Sequence, residues 1–143
     1  MNIRFHDNRR ACKISLDKLL ELKNSLILDN YQPDLCNALR DESDWRLKER
    51  VLEYVTDIRF PTDDLLESLC SIMTNKSVSI NARILAADAL RVLAPRKIRR
   101  TMVYPTFRGA SVLRIMKDIL TAPEVPALHE AVTRALEAIR QES

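Results

Sequence analysis

Apolar residues recur with the same spacing in three segments of the chain. In each segment they fall at positions i, i+4, i+7, i+8 and i+11, which places them on one face of an α-helix. Shifts of 35 and 46 residues superimpose the three sets. The sets are Leu47, Val51, Tyr54, Val55 and Ile58; Ala82, Ala86, Ala89, Leu90 and Leu93; and Leu128, Val132, Ala135, Leu136 and Ile139. A repeated unit of this length cannot bury its apolar face alone, so we expect neighbouring copies to stack.

The sequence predicts an all-α fold, because it has a single Gly and no Asn-Gly or Asp-Gly pair to form hairpins. Helix starts are indicated by capping residues at Ser15, at Ser43 or Asp44, and at Thr62. Pro95 is expected to end the clearest helix, which starts at Ile80. The predicted helices span residues 15–28, 33–39, 47–58, 62–74, 80–94, 109–120 and 126 to the C-terminus.

Length and composition indicate one globular domain. The chain has 143 residues, of which 46% are hydrophobic and 30% are charged, so wholesale disorder is excluded. No apolar run approaches the roughly 20 residues that cross a bilayer, and residues 1–13 do not resemble a secretory signal. We expect a soluble protein without membrane association. It divides into a basic N-terminal arm (1–14) and a single helical domain (15–143).

The three cysteines, Cys12, Cys36 and Cys70, indicate a reducing compartment. Their number is odd, and no His or Cys lies near enough in sequence to complete a metal shell. Cys70 falls on an apolar helical stripe, where a thiol packs as a small hydrophobe. We therefore predict no metal site and no cofactor, and an intracellular, most simply cytoplasmic, location.

Positive charge is concentrated in two segments, although the net charge is only +3. A basic insertion at residues 95–109 carries five cations and no acid, and Met1–Lys13 adds a net +3, which leaves −5 for the remainder. Apolar residues within the insertion would anchor it while its cations face phosphates or acidic protein. Alternatively, these cations cap the negative end of the preceding helix.

The repeated segments resemble HEAT repeats, which are antiparallel helix pairs stacked into a superhelix. The best match is Leu65 to Ala94, with an outer helix, a tight turn and an inner helix like the family's V-R-x-x-A-x-x-A-L core. That core reads LKERVLEYV, ARILAADAL and LHEAVTRAL in the three copies. The resemblance covers about residues 33–141. It implies a short α-α superhelix, a HEAT-like solenoid of about three helix pairs plus an N-terminal helix; the alternative is an irregular helical bundle.

The position of the family's Arg is basic in every copy, and it is occupied by Lys48, Arg83 and His129. The family's Asp in the preceding turn is present as Asp44 in the first copy. Ser79 and Val125 take its place in the other two copies. A continuous series of Asp–Arg pairs is therefore not expected.

Catalytic signatures are missing from the sequence. The only histidines are His6 and His129, and neither has a recognisable nucleophile beside it. The pair His129-Glu130 begins like a zinc-protease helix, but Thr133 stands where the second His is needed. A lone Gly109 cannot build a phosphate-binding loop. The acidic group Asp63, Asp64 and Glu67 is explained by the positive end of its own helix. We predict a protein that is not an enzyme.

The leading hypothesis for function is a protein-interaction or adaptor module with a groove lined by the inner helices. Its partner-binding candidates are Glu49, Glu53, Ile84, Asp88, Arg91, Glu130 and Arg134. The alternative is binding of a nucleic-acid backbone through the N-terminal arm and the basic insertion. The phosphate-binding candidates are Arg96, Lys97, Arg99, Arg100 and Arg108. Whether another copy of the chain is also a partner is left open by the sequence.

Overall fold

The computed structural model describes residues 14–41, 43–100 and 109–142. Within these residues 81% are helical and no strand is present, which confirms the all-α prediction. The α-helices of this part of the chain are α1 (Leu16–Asn24), α2 (Gln32–Arg40), α3 (Trp45–Tyr54), α4 (Asp63–Thr74), α5 (Ile80–Arg100), α6 (Gly109–Thr121) and α7 (Pro126–Glu142). Two short 3-10 helices are also present: Leu28–Tyr31 lies between α1 and α2, and Val55–Asp57 directly follows α3. The predicted arm, 1–14, lies outside the described residues except for Ile14.

Three helices begin at the capping residues that the sequence indicates. The Ser15 hydroxyl accepts a hydrogen bond from the backbone N–H of Lys18, and the Thr62 hydroxyl accepts one from Leu65. At α3 the cap is Asp44 rather than Ser43, and its carboxylate accepts from the N–H of Leu47 at 3.1 Å. Each cap satisfies a donor that the first helical turn leaves unpaired.

Helix α1 ends earlier than the prediction of residue 28. Leu26 adopts a positive φ of 59°, and the N–H of Ile27 bonds to the carbonyl of Leu22. The N–H of Leu26 bonds to the carbonyl of Lys23, which completes a Schellman cap. A non-glycine residue in this conformation carries a steric cost, so sequence rules did not indicate the end of the helix here.

The prediction that Pro95 ends the fifth helix is wrong, because α5 continues through it to Arg100. Proline removes one helical hydrogen bond, but the turn that follows it is held by other parts of the chain. Arg96 donates to backbone carbonyls after α3, Lys97 pairs with Asp63, and Arg99 pairs with Glu142. These contacts offset the cost of the proline. Residues 95–100 are therefore helix, residues 101–108 lie outside the described part, and α6 begins at Gly109.

The helices contact one another in an order that follows the chain. Consecutive helices form the pairs α2/α3, α4/α5 and α6/α7. The second helices of the pairs also meet, since α5 contacts both α3 and α7. The first helices meet in the same way, since α4 contacts both α2 and α6, while α1 packs on α3.

Ion pairs between α5 and α7 show that these two helices run in the same direction. Arg83, near the start of α5, pairs with Glu124, just before α7. Asp88 and Arg134 meet further along both helices, and Arg99 pairs with Glu142 near the two ends. Three pairs in this order are compatible only with parallel helices in register.

One apolar core runs through all of these helices. The three repeated sets lie inside it, and every member is buried except Tyr54, which is partly buried against the core. Between α5 and α7 the buried residues include Ala86, Ala89, Ala131 and Ala135, whose small side chains allow the two backbones to approach closely. In the described part of the chain, no helix has the length and apolarity needed to span a bilayer.

Candidate functional site

The predicted groove residues lie on α3, α5 and α7, and most of them reach solvent. Glu53, Arg91, Glu130 and Arg134 are exposed, whereas Glu49, Ile84 and Asp88 are partly buried. Ile84 also packs against the core. Three of the exposed charged candidates, Glu53, Arg91 and Glu130, lie on α3, α5 and α7, which contact one another in series. We call the surface that carries them the inner face, after the predicted groove of the inner helices.

Several groove candidates are already engaged within the chain. The Asp88 carboxylate lies 4.0 Å from Nη2 of Arg134, which joins α5 to α7. Glu53 forms a 3.0 Å ion pair with Arg50 on its own helix. Arg91 and Glu130 form no ion pair with another described residue and are exposed. Of the inner-face charges, these two are therefore the ones most available to a partner.

The basic candidates do not form a free cationic patch in the described part of the chain. Nη1 of Arg96 donates to the carbonyls of Thr56 at 2.7 Å and Ile58 at 2.6 Å. Lys97 lies 3.4 Å from Asp63, and Arg99 lies 2.8 Å from Glu142. Arg100 is the last residue of α5, and Arg108 lies outside the described residues.

Arg96 has a structural role that can be tested directly. Replacing Arg96 with methionine removes the donor that the carbonyls of Thr56 and Ile58 share. We expect the free energy of unfolding to fall by about 1.5 kcal/mol, the usual contribution of hydrogen bonds from a charged group. Urea denaturation measures the change, with the exposed Arg114 replaced by methionine as the control. Equal stability of the two variants would contradict this role.

The basic position of the second copy holds a buried ion pair between neighbouring helix pairs. Arg83 donates from Nε to the carbonyl of Met73, at the end of α4, at 2.8 Å. Its Nη1 and Nη2 donate to the two carboxylate oxygens of Glu124, each at 3.1 Å. The hydrogen bonds and positive charge of Arg83 hold the pKa of Glu124 below its ordinary value, although partial desolvation acts in the opposite direction. A buried ion pair therefore joins the second and third repeated segments.

The same position in the other two copies has different surroundings. Nε2 of His129 lies 3.0 Å from the carbonyl of Ile119 and 3.1 Å from that of Ala122, so it ties α7 to the end of α6. Both partners are acceptors, and Nε2 therefore carries the proton. Lys48 is buried, and its Nζ lies 4.4 Å from the centre of the Trp45 ring. His129 thus faces the turn that follows α6.

The two cysteines that the structure describes are buried free thiols. Burial, with a smaller contribution from the charge of Glu67, raises the pKa of Cys70 to about 12. Burial also raises the pKa of Cys36, although the hydrogen bond with Ser68 opposes the shift. Both thiols stay protonated at neutral pH, so neither is an activated nucleophile. This agrees with the prediction that Cys70 packs as a small hydrophobe.

Comparison of the chain with protein families, with curated proteins and with solved structures gives no match. The resemblance to HEAT repeats therefore stays a prediction from the residues quoted for it.

Two polar residues that sequence analysis did not single out hold the fold together. Glu124 pairs with Arg83. It lies one residue before Val125, where the HEAT pattern has its Asp, so that pattern did not indicate Glu124. Gln32, which is buried, donates to the carbonyls of Asp29 and Phe60 and accepts from the N–H of Thr62. It joins the starts of α2 and α4. A polar residue at the first turn of a helix gives no sequence signal for such a role.

Proposed function

We propose that this chain is a short HEAT-like α-solenoid that binds another protein through its inner face. The observation that carries the proposal is the serial contact of α3, α5 and α7, in which the parallel α5 and α7 are joined along their length by three ion pairs. Helices stacked in this way present their outward residues as one continuous surface, which is the surface that repeat proteins use for binding.

The charges of the inner face suggest what the partner is like. Glu53 on α3, Arg91 on α5 and Glu130 on α7 alternate in sign from one helix to the next. A partner with a complementary order of charges would be selected over one with a uniform charge, because like charges brought together at an interface are unfavourable. We therefore expect a folded or helical protein surface of mixed charge rather than a polyanion.

Exchanging the two available charges of the inner face tests the proposal. We expect the double variant Arg91→Glu, Glu130→Lys to retain about tenfold less of the partner than the wild type, because two attractive contacts become repulsive. The measurement is affinity capture with the immobilised chain, followed by quantification of the retained proteins.

The matched control is the double variant Lys117→Glu, Asp118→Lys on α6, where both residues are exposed. Both variants leave the net charge unchanged. A protein retained by the wild type and the control but lost from the inner-face variant supports the proposal. Equal retention by all three chains would contradict it.

The nucleic-acid alternative has less support. Arg96, Lys97 and Arg99 already contact oxygens of the chain itself, so binding a phosphate backbone would first break those contacts. Nuclease treatment of the captured material separates the two functions. A partner that survives nuclease and depends on Arg91 and Glu130 is bound as a protein.

A further inference from the structure

Lys48 is a buried cation to which the described part of the chain offers no hydrogen-bond acceptor. It lies in the first turn of α3, only 3% of its surface is exposed, and its Nζ sits over the ring of Trp45. Among the described residues, no oxygen accepts a hydrogen bond from Nζ and no carboxylate pairs with it. A buried ammonium group whose contact is an aromatic ring would gain from a ligand that supplies a hydrogen-bond acceptor.

The equivalent residue of the next copy, Arg83, has a carboxylate partner. Arg83 stands 35 residues after Lys48, is equally buried, and binds both carboxylate oxygens of Glu124. Glu124 precedes the basic residue of its own copy, His129, by five positions. The residue five positions before Arg83 is Val78. The turn before α5 therefore brings the apolar Val78 to the cavity that Lys48 lines, whereas the turn before α7 brings the carboxylate of Glu124 to Arg83.

An open cavity occupies this place in the structure. Its volume is about 310 Å³, and both Lys48 and Val78 line it. Arg40, Ser68, Ser71 and Asn75 line the same cavity and bring further hydrogen-bond donors to it. The cavity thus offers space for a ligand, and Lys48 is among the residues with hydrogen-bond donors that line it.

The charges around the cavity favour a single negative charge on the ligand. Arg40 and Lys48 contribute two positive charges, and the exposed Glu67 contributes one negative charge. A carboxylate would neutralise the remaining +1, whereas a phosphate dianion would leave the site with excess negative charge. The ligand of Arg83 in the neighbouring copy is likewise a carboxylate.

We propose that the cavity between Lys48 and Val78 is a binding site for a carboxylate group, which takes the place that the Glu124 side chain fills beside Arg83. The carboxylate comes either from a small organic acid or from an acidic side chain of a bound peptide. The inner-face residues Glu53, Arg91 and Glu130 do not line this cavity, so the carboxylate site is tested separately from the proposed function.

The fluorescence of Trp45 reports on this site, because Trp45 is the single tryptophan of the chain and the Lys48 ammonium lies over its ring. Titration with acetate at constant ionic strength is expected to change the emission in a saturable way. The change should disappear in Lys48→Met and persist in Arg50→Met, which removes an exposed cation from the same helix. No saturable change in the wild type, or the same change in Lys48→Met, would overturn the proposal.

Two further titrants identify the source and the charge of the ligand. A glycine-rich peptide with one glutamate is compared with acetate, and half-saturation at about tenfold lower concentration assigns the site to peptide carboxylates. Equal or weaker binding of the peptide assigns it to small organic acids. Inorganic phosphate is the third titrant, and tighter binding of phosphate than of either carboxylate would overturn the assignment.

Supplying the carboxylate from the chain itself gives an independent test. Val78→Glu should fill the site and raise the melting temperature by about 3 °C relative to the uncharged Val78→Gln. The acetate response should also be lost in Val78→Glu. In a Lys48→Met background the Glu variant should have no advantage over the Gln variant. No advantage of Glu over Gln when Lys48 is present would contradict the proposal, and the acetate titration of the wild type decides the matter if either variant fails to fold.

Discussion

Replacing Arg83 with methionine is expected to lower the free energy of unfolding by about 3 kcal/mol. The guanidinium is buried, and it makes one hydrogen bond to the carbonyl of Met73 and two to the carboxylate of Glu124. Methionine fills much of the same volume but leaves these oxygens without their donors. Urea denaturation of the two proteins measures the difference.

The control for this change is Arg134→Met. Arg134 also joins α5 to α7, but its Nη2 lies 4.0 Å from Asp88 and more than half of its side chain is exposed. Exposed ion pairs contribute about 0.5 kcal/mol, so the loss should be small. Similar losses of the free energy of unfolding in the two variants would contradict the distinction between a buried and an exposed ion pair.

The Arg83–Glu124 pair also makes stability depend on pH in a defined direction. Because the fold lowers the pKa of Glu124 below its ordinary 4.5, the folded state favours the carboxylate form. This contribution is complete above the ordinary pKa and is lost as the pH falls from there through the lowered pKa. Urea midpoints above and below pH 4.5 should therefore differ less for Glu124→Gln than for the wild type. An unchanged difference would argue against the role of Glu124.

The second large effect is expected from Leu90→Ala, at about 3 kcal/mol of the free energy of unfolding. Leu90 is fully buried in α5, the helix that contacts α3, α4 and α7. With helices on several sides, the surroundings cannot collapse into the space that the side chain leaves, so the cost of the cavity adds to the lost burial. Urea denaturation again provides the measurement.

Leu20→Ala is the matched control for Leu90→Ala. Leu20 belongs to α1, and 47% of its surface is exposed. The same substitution should change the free energy of unfolding by no more than about 0.5 kcal/mol there. A comparable loss at the two sites would mean that α5 does not occupy the centre of the core.

Side chains that act on their own helix were predicted well. Ser15 and Thr62 cap helices because a hydroxyl at that position reaches an N–H three residues later. The spacing of Ala82, Ala86 and Leu90 predicts a buried face because helix geometry alone aligns them. Such properties depend on residues within a few turns of one another.

The candidate site was predicted less completely, because its properties depend on contacts between distant segments. The basic candidates Arg96 and Lys97 look like free cations in sequence, yet each contacts oxygens from residues before α5. The different surroundings of Lys48 and Arg83 are equally invisible in the sequence, since they become apparent only when Val78, which lines a cavity with Lys48, is aligned with Glu124. No short sequence pattern indicates which oxygen atom will contact a given cation in the folded chain.

The sequence by itself determined the helices, most of their starts and the faces that they bury, because spacing and capping operate within a single helix. Tertiary structure alone decided that α5 continues through Pro95, where contacts with Thr56, Asp63 and Glu142 offset a local penalty. It also decided that Arg83 meets a carboxylate 41 residues away, while Lys48 meets none in the part of the chain that the structure describes. The physical reason is that the energy of a buried charge depends on which segments pack around it.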